Sequence, residues 1–251
     1  MSKHDLKNKT VVITGGAKNL GGLISRKFAE QGANLVIHFN SDSAQADAET
    51  TLKAVQALGA KAIIFQADLS DIRKIEELFV KAKETFGGVD IAINTVGRVL
   101  KKPFLDTTET EFDSMSDINS KIAYFFIQSA GKHLNNNGKI CTIVTSLLAA
   151  YTGLYSTYGG LKAPVEHFTR AASKEFGERG ISVTAVAPGP MDTPFFYGQE
   201  VPEAVAYHKS ASALGGLTQI EDIEPLVRFL VTDGWWITGQ TIFANGGYTT
   251  R

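Results

Sequence analysis

The chain has 251 residues, with 25 basic and 26 acidic side chains and a formal net charge of −1. This balance excludes the basic stripe of a nucleic-acid-binding protein and the polybasic segment of a membrane-surface protein. A hydrophobic content of 43% excludes a disordered chain, and the single cysteine, Cys141, excludes an internal disulfide and a cysteine-based zinc site. Because there is no apolar run of about 18 residues and no signal-like N-terminus, we expect a cytoplasmic protein.

The first predicted elements are a strand, a glycine-rich turn, a helix and a second strand. The β-branched run 10–14 predicts a buried parallel strand, and residues 15–22 form the turn. Apolar residues then recur at helical spacing from Leu23 to Gly32, which ends the helix, and 34–39 is the next strand. Turn glycines allow close approach to a pyrophosphate, and a helix N-terminus offers it N–H groups. This unit therefore indicates a dinucleotide site.

Strands and helices alternate in the rest of the chain. The pattern predicts helices at 44–58, 72–86, 110–134 (one or two), 155–179 and 220–232, strands at 62–66, 89–93, 140–144, 181–186 and 240–244, and a turn at 135–138. Right-handed crossovers give an α/β fold, a Rossmann-type doubly wound parallel sheet of about seven strands with helices on both faces. Residues 1–251 are interpreted as a single domain, with an irregular substrate loop at about 195–217.

Tyr158 and Lys162 are four residues apart in the predicted helix 155–179. Residues at this spacing lie on the same face of a helix. A lysine cation beside a phenol favours the phenolate, so we expect the pKa of Tyr158 to fall towards neutral. The pair therefore indicates a proton-transfer site.

Several motifs, in this order and spacing, resemble those of a classical short-chain dehydrogenase/reductase, over nearly the whole chain. The matching residues are Thr14, Gly15 and Gly21 in the turn, Asp68 and Leu69, Asn94 to Gly97, Asn119, Tyr158, Lys162, Pro188, Gly189, Thr193, 237–240, Gly246 and Gly247. The resemblance implies hydride transfer between a nicotinamide cofactor and a small-molecule ketone, aldehyde or secondary alcohol. It also implies a homotetramer assembled through the long helices.

The same resemblance implies roles for individual residues. Tyr158 is the general acid, Lys162 lowers its pKa and binds the nicotinamide ribose, and Asn119 lies near a water that links Lys162 to solvent. Asp68 contacts adenine, and Thr193 belongs to the turn that holds the nicotinamide amide. The predicted cofactor-binding residues are Gly15, Lys18, Asn19, Leu20, Gly21, Asn40, Ser41, Asp68, Leu69, Asn94, Gly97, Tyr158, Lys162, Pro188, Gly189 and Thr193.

Three positions depart from the family pattern. Asn19 replaces the middle glycine of the turn, and asparagine tolerates the left-handed conformation. Thr145 aligns with the usual catalytic serine and Ser146 follows it. Because successive strand residues point to opposite faces, only one hydroxyl is expected to face the substrate. Pro164 removes the helical hydrogen bond to Gly160, so we expect a bent or loosely packed helix whose glycines admit another backbone or a subunit.

The residues at the end of the second strand indicate whether NAD(H) or NADP(H) is preferred. Residues 38–41 lack the carboxylate that holds the ribose of NAD, whereas Lys18, Asn40 and Ser41 offer groups to a 2′-phosphate. NADP(H) is therefore predicted to be preferred over NAD(H). The pocket is predicted to be apolar and aromatic, and to suit a hydrophobic carbonyl compound, from Leu147, Leu148, Tyr151 and 195–197.

Other functions use the same fold. A 3-oxoacyl-[acyl-carrier-protein] reductase would need the same motifs, and a basic patch beside the active-site mouth would indicate it. A non-catalytic NADP-sensing Rossmann protein would not need Asn119, Tyr158 and Lys162 together. Epimerases and dehydratases on this fold carry a second substrate domain, for which the chain is short. The five histidines show no metal-ligand spacing, so all are interpreted as structural or exposed and no metal is predicted.

Overall fold

The structure is a computed structural model that describes residues 5–150 and 152–250. The prediction for Tyr151 lies outside these residues. Seven strands form one parallel sheet: β1 Thr10–Thr14, β2 Asn34–Phe39, β3 Ala62–Gln66, β4 Val89–Asn94, β5 Leu134–Ile143, β6 Ser182–Pro188 and β7 Gln240–Ala244. Their order is β3–β2–β1–β4–β5–β6–β7. The predicted fold class, a doubly wound parallel sheet, is confirmed.

Helices cover both faces of this sheet. They are α1 Asn19–Glu30, α2 Gln45–Ala57, α3 Ile72–Phe86, α4 Glu109–Ser116, α5 Ile122–His133, α6 Ser156–Glu175, α7 Pro194–Tyr197, α8 Pro202–Ala211 and α9 Ile220–Val231. On one face, Phe28 of α1 packs in a buried cluster with Val227 of α9. On the other, Phe79 of α3 and Phe126 of α5 share a second cluster, with ring centroids 5.4 Å apart. In α1, α3 and α9 the apolar residues recur at helical spacing on the buried face.

The strand order creates the crevice that holds the candidate site. β1 pairs with β2 on one side and with β4 on the other. The chain runs outwards from β1 to β3, returns to β4 beside β1, and then runs outwards in the other direction to β7. Loops that follow β1 and β4 therefore diverge at the carboxyl edge of the sheet, where ligands bind in folds of this class.

Two predicted segments differ from the structure. Residues 135–138, predicted as a turn, belong to β5 at a point where its register against β4 shifts between Val89 and Ile91. Asn137 has φ +65° there, a backbone conformation that asparagine tolerates, so the turn-forming residues make an irregular strand. The substrate loop, predicted to be irregular, contains α8 and most of α7. Proline in the first turn of each helix supplies a favourable start.

Pro164 lies inside α6, which runs without a break from Ser156 to Glu175. Lys162 and Val165, on either side of the proline, are buried, so the helix is not loosely packed there. A Cβ built on Gly160 would meet nothing of the described chain within 4 Å. A Cβ on Gly159 would meet only the side chain of Leu147, at 3.6 Å. Within the described residues the expected approach of another backbone is therefore wrong, while approach of a second subunit stays a prediction. No helix in residues 5–150 and 152–250 is long and apolar enough to cross a membrane.

Candidate active site

The glycine-rich turn after β1 is folded against itself. A Cβ on Gly21 would lie 2.1 Å from the carbonyl oxygen of Gly15, so no other residue fits without moving backbone. Asn19 has φ +48°, as expected for the residue that replaces a turn glycine. Lys18, the residue before α1, makes no side-chain capping bond to the helix. The first N–H groups of α1 are therefore not capped by that side chain, and they can donate hydrogen bonds to an anionic ligand.

A cavity of about 630 Å³ extends from this turn to the start of α6. Most predicted cofactor residues line it, namely Gly15, Lys18, Asn19, Leu20, Gly21, Asn40, Asp68, Leu69, Gly97, Tyr158, Lys162 and Thr193. Ser41 does not, and its hydroxyl instead bonds that of Ser43. Asn94 is buried behind the wall, where its side chain accepts hydrogen bonds from Thr14 Oγ1 and the N–H of Val96. Pro188 and Gly189 line a neighbouring cavity.

Lys162 is anchored by backbone carbonyl groups at the ends of two strands. Its Nζ donates to the carbonyl oxygens of Val96, at 2.9 Å, and Ile143, at 3.1 Å. An ammonium group has three N–H donors, so one remains for a ligand in the cavity that Lys162 lines. Burial lowers the pKa of Lys162 to about 8, because desolvation disfavours the cation.

Tyr158 differs from its prediction in the direction of its pKa. Burial of the phenol raises the pKa of Tyr158 to about 12, and a hydrogen-bonding interaction with the Thr145 hydroxyl lowers it by less. The predicted fall towards neutral is wrong for the chain in this structure. The physical reason is that both described hydrogen bonds of Lys162 go to carbonyl oxygens. Desolvation therefore dominates the phenol.

The adjacent hydroxyls of Thr145 and Ser146 have different partners. Ser146 Oγ donates to the carbonyl oxygen of Ala187 at 3.0 Å and accepts from Asn245 Nδ2 at 2.9 Å, so its proton is committed to the backbone. Thr145 Oγ1 accepts from the N–H of Leu147 at 3.2 Å, so its own hydrogen is not committed to the backbone and is directed to the side of Tyr158. Thr145 is also the hydroxyl that acts on Tyr158. Of the two candidates, Thr145 has the geometry of a donor to a substrate oxygen.

Asn119 lies in a π-helical turn, Asp117–Lys121, between α4 and α5. Such turns are rare and occur frequently at functional sites. Both N–H groups of the Asn119 amide are used by the backbone: Nδ2 donates to the carbonyl oxygens of Arg98 and Met115, and Oδ1 accepts from the N–H of Arg98. Asn119 therefore holds the loop after β4 beside Lys162. The water-binding role stays a prediction.

Comparison with known proteins identifies the family. A family model described as enoyl-(acyl carrier protein) reductase matches residues 15–249. A hydroxynaphthalene reductase-like protein of Metarhizium anisopliae is 31% identical over 98% of this chain and 97% of its own. The chain belongs to the short-chain dehydrogenase/reductase family.

Two solved structures of this family are more similar. A dehydrogenase from Burkholderia cenocepacia with bound NADP is 61% identical, with a TM-score of 0.97 over 100% of this chain and 97% of that one. A short-chain dehydrogenase from Oenococcus oeni is 56% identical, with a TM-score of 0.80 and full coverage of both chains. The predicted family membership is therefore confirmed over the whole length.

The residues present fit the nicotinamide dinucleotide that this family uses. The glycine turn and the N-terminus of α1 suit its pyrophosphate, and the free donor of Lys162 suits a ribose hydroxyl. Thr193 Oγ1 is buried and has no hydrogen-bond partner among the residues that the structure describes. A buried polar atom without a partner is costly, and Thr193 lines both cavities. An amide group in the cavity would satisfy it.

The second cavity of this short-chain dehydrogenase/reductase adjoins the first and has aromatic walls. Its lining includes Val99, Thr145, Leu147, Tyr155, Phe195, Phe196, His208 and Tyr248. The ring of Phe195 lies 6.4 Å from that of Tyr158, centroid to centroid. His208 Nδ1 and the hydroxyl of Tyr248 are 2.8 Å apart at the far side. The residues of this cavity suit a hydrophobic molecule with few polar groups.

Sequence reasoning missed several residues of the site. Thr95 and Val96 belong to the matched motif Asn94 to Gly97 but were not assigned to the cofactor, and Arg98 was not singled out; all three line the first cavity. His38 also lines it, although it was interpreted only as structural or exposed. The available signal was position: Thr95, Val96 and Arg98 follow β4, which pairs with β1 where the strand order reverses, and His38 is the next-to-last residue of β2. Residue type gave no such signal, because valine and threonine are common in strands. Among residues 5–150 and 152–250, no cluster of side chains could hold a metal ion.

Proposed function

We propose that this protein is an NADPH-dependent carbonyl reductase that acts on hydrophobic ketones or aldehydes, with Asn119, Thr145, Tyr158 and Lys162 as its catalytic group. One observation carries the proposal. Tyr158 lines both the dinucleotide cavity and the aromatic cavity, so its phenol lies where a cofactor and a carbonyl compound would meet. The solved Burkholderia cenocepacia relative with bound NADP supports the choice of cofactor.

The chemistry divides between cofactor and protein. NADPH, when bound, supplies the hydride. Thr145 donates a hydrogen bond to the substrate carbonyl oxygen, and Tyr158 donates the proton as negative charge develops there. The raised pKa keeps Tyr158 protonated at neutral pH, which is the form that a general acid requires. Lys162 stabilises the resulting phenolate by its positive charge and bonds a ribose hydroxyl.

Consumption of NADPH across a substrate panel tests this function. The panel contains bicyclic aromatic ketones, aliphatic ketones, aldehydes, a β-ketoacyl thioester and an enoyl thioester. We expect turnover of hydrophobic ketones or aldehydes at higher kcat/KM than either thioester. Preference for the β-ketoacyl thioester would support the acyl-carrier-protein reductase instead. NADPH binding without turnover of any member would support a sensor.

Cofactor preference depends on Lys18. Its Nζ forms an ion pair with Asp47 Oδ2 at 2.9 Å, and both side chains are about half exposed. An exposed pair of this kind is weak, so a 2′-phosphate can displace Asp47. We expect Lys18→Ala to lower the ratio of kcat/KM for NADPH to that for NADH by about tenfold, and Asp47→Asn to raise it. Steady-state kinetics with both cofactors measure the ratio. An unchanged ratio in Lys18→Ala would contradict the preference.

The pKa of Lys162 predicts how the reductase activity depends on pH. Its pKa is lowered to about 8, so it is cationic below this pH and loses its charge as the pH rises through it. We expect kcat/KM for NADPH, at saturating ketone, to fall above about pH 8, because this parameter reports groups of the free enzyme. Tyr158, with a pKa of about 12, stays protonated across this range. Lys162→Met should lower the whole profile and remove the fall. A fall that survives in this variant would belong to another group.

We also propose that residues 1–251 form one catalytic domain of a cytoplasmic homotetramer, with 195–217 as its substrate loop. Exposed aromatic and aliphatic side chains on α4 and α5 and beside α9 support self-association, among them Phe112, Tyr124, Phe229 and Trp236. Light scattering coupled to gel filtration measures the mass directly. A monomer at micromolar concentration would contradict the assembly and leave the catalytic proposal intact.

A further inference from the structure

His38 connects the two walls of the dinucleotide cavity. It lies in β2 and is 2% exposed. On one side its Nδ1 accepts a hydrogen bond from the N–H of Gly15, at 3.2 Å, in the glycine-rich turn after β1. On the other, Nε2 is 2.9 Å from the carbonyl oxygen of Ala67, just after β3 and directly before Asp68 and Leu69. One imidazole therefore connects the segment after β1 with the segment after β3, the two strands that flank β2, and both segments line the cofactor cavity.

Only one protonation state of the ring satisfies both contacts. The N–H of Gly15 is a donor, so Nδ1 must be the acceptor. The carbonyl of Ala67 is an acceptor, so Nε2 must carry the hydrogen. A cationic ring would place an Nδ1–H against the Gly15 N–H and break that bond. Burial favours the neutral ring and lowers the pKa of His38 to about 4, against the raising effects of the Ala67 contact and of Asp68.

The Gly15 contact bears on the part of the turn that a pyrophosphate approaches. The carbonyl oxygen of His38 also accepts from the N–H of Gly16, at 2.9 Å, so side chain and backbone of the same residue hold consecutive turn residues. Gly15 has φ +66°, and Gly21 packs directly on its carbonyl group. A shift of Gly15 would therefore move the start of α1 as well. The backbone bond to Gly16 does not depend on the charge of the ring.

We propose that neutral His38 is a positioning residue that holds the glycine-rich turn in its dinucleotide-binding form, and that protonation of its ring releases the turn. The inference rests on the proposed binding of NADP(H). It assigns a function to a buried histidine that touches neither the substrate pocket nor the reacting atoms. We therefore expect the affinity for the dinucleotide to fall as the pH is lowered, because the cofactor would bind only the protein form in which the His38 ring is neutral.

Charged groups on the neighbouring elements do not supply an alternative partner for the ring. Asp68, after β3, favours the cationic ring but is not hydrogen-bonded to it. Lys18 of the turn pairs with Asp47 of α2. Asp42, which follows β2, accepts a hydrogen bond from the side chain of Gln66. Asp68 also lines the cavity, so the test must separate its effect on the cofactor from that of the ring.

Two substitutions separate the two contacts of the ring. In His38→Asn the amide oxygen lies near the position of Nδ1, so it accepts from Gly15 but does not reach Ala67. In His38→Gln the amide nitrogen lies near Nε2, so it donates to Ala67 and leaves Gly15 without its acceptor. Isothermal titration with NADP⁺ at pH 7 should give a dissociation constant within about threefold of wild type for His38→Asn. It should be about tenfold weaker for His38→Gln.

The pH dependence gives a readout that a merely structural role would not move. Between pH 7 and 3.5, NADP⁺ affinity of the wild type should fall by about fourfold more than that of His38→Asn, because the ring, with a pKa of about 4, is mostly protonated at the lower pH and the amide does not titrate. Asp68 and the cofactor phosphate are the same in both proteins, so the difference isolates the ring. NMR of the wild-type imidazole should show the Nε2–H tautomer and a pKa that falls further when NADP⁺ is added. The NMR measurement uses only the wild-type protein, so it does not depend on whether the variants fold.

Equal affinities for the two variants, or equal acid sensitivity of wild type and His38→Asn, would overturn the inference. So would a His38 pKa that NADP⁺ leaves unchanged. These results differ from failure of the proposed function, in which the wild type itself would not bind NADP⁺ or would not reduce any carbonyl compound. If the wild type binds NADP⁺ and reduces a carbonyl compound while both variants bind NADP⁺ with equal affinity, only the role of His38 is contradicted.

Discussion

Tyr158→Phe is expected to lower kcat for ketone reduction by about 10²- to 10⁴-fold, the range that general acid catalysis supplies. The substitution removes only the hydroxyl, which interacts with Thr145. The ring, its packing against Phe195 and the carbonyl anchors of Lys162 remain. The hydride would then have to be transferred without a proton donor for the alkoxide that forms. Single-turnover oxidation of NADPH in the presence of saturating ketone measures the chemical step directly.

Tyr197→Phe is the matched control for that experiment. It also removes one tyrosine hydroxyl, and it breaks a bond to Asp192 of 2.7 Å at the start of the substrate loop. We expect its kcat to stay within a few-fold of wild type, because this hydroxyl lines neither cavity. NADP⁺ affinity should be unchanged in both variants. A Tyr158→Phe enzyme that keeps more than a tenth of wild-type kcat would refute the assignment of the acid.

Lys101→Met is expected to lower the free energy of unfolding by about 1–3 kcal/mol, less than the cost of a buried charge with no partner, because Tyr155 and His208 still contact Glu200. Lys101 Nζ lies 2.6 Å from Glu200 Oε2, and the Glu200 side chain is completely buried between α7 and α8. Tyr155 also donates a hydrogen bond to Glu200. The ion pair joins the loop after β4 to the substrate loop, so the ketone KM should also rise. Urea denaturation and limited proteolysis of the substrate loop measure the two effects.

The double variant Lys101→Met/Glu200→Leu separates charge from packing. With both charges gone, no ion is left buried, so the double variant should be more stable than Lys101→Met. Lys121→Met is the control, because Lys121 forms an exposed pair with Asp117 of the kind that contributes little. If Lys101→Met were as stable as Lys121→Met and its substrate loop resisted proteolysis equally, the ion pair would not hold the loop.

The alternation of strands and helices was readable from the chain because buried parallel strands need continuous apolar runs and covering helices need an apolar stripe. The strand 10–14, the helix 72–86 and the strand 240–244 have the predicted bounds. The spacing of Tyr158 and Lys162 was equally direct, since a helix places residues four apart on one face. Short local patterns sufficed for each of these predictions. The substrate loop lacked such a pattern, and its two helices went unpredicted.

Burial and contacts between residues far apart in the chain decided the protonation and the hydrogen-bond partners of the site residues. The pKa of Tyr158 rises because the folded chain desolvates it, and Thr145 is distinguished from Ser146 only by partners such as Asn245, 99 residues away in sequence. The contact of His38 with Gly15 likewise exists only after β2 has paired beside β1. The sequence by itself therefore determined the elements, the family and the types of chemical group at the site. The tertiary structure decided their protonation and hydrogen-bond direction, because these depend on solvent exclusion and on residues far apart in the chain.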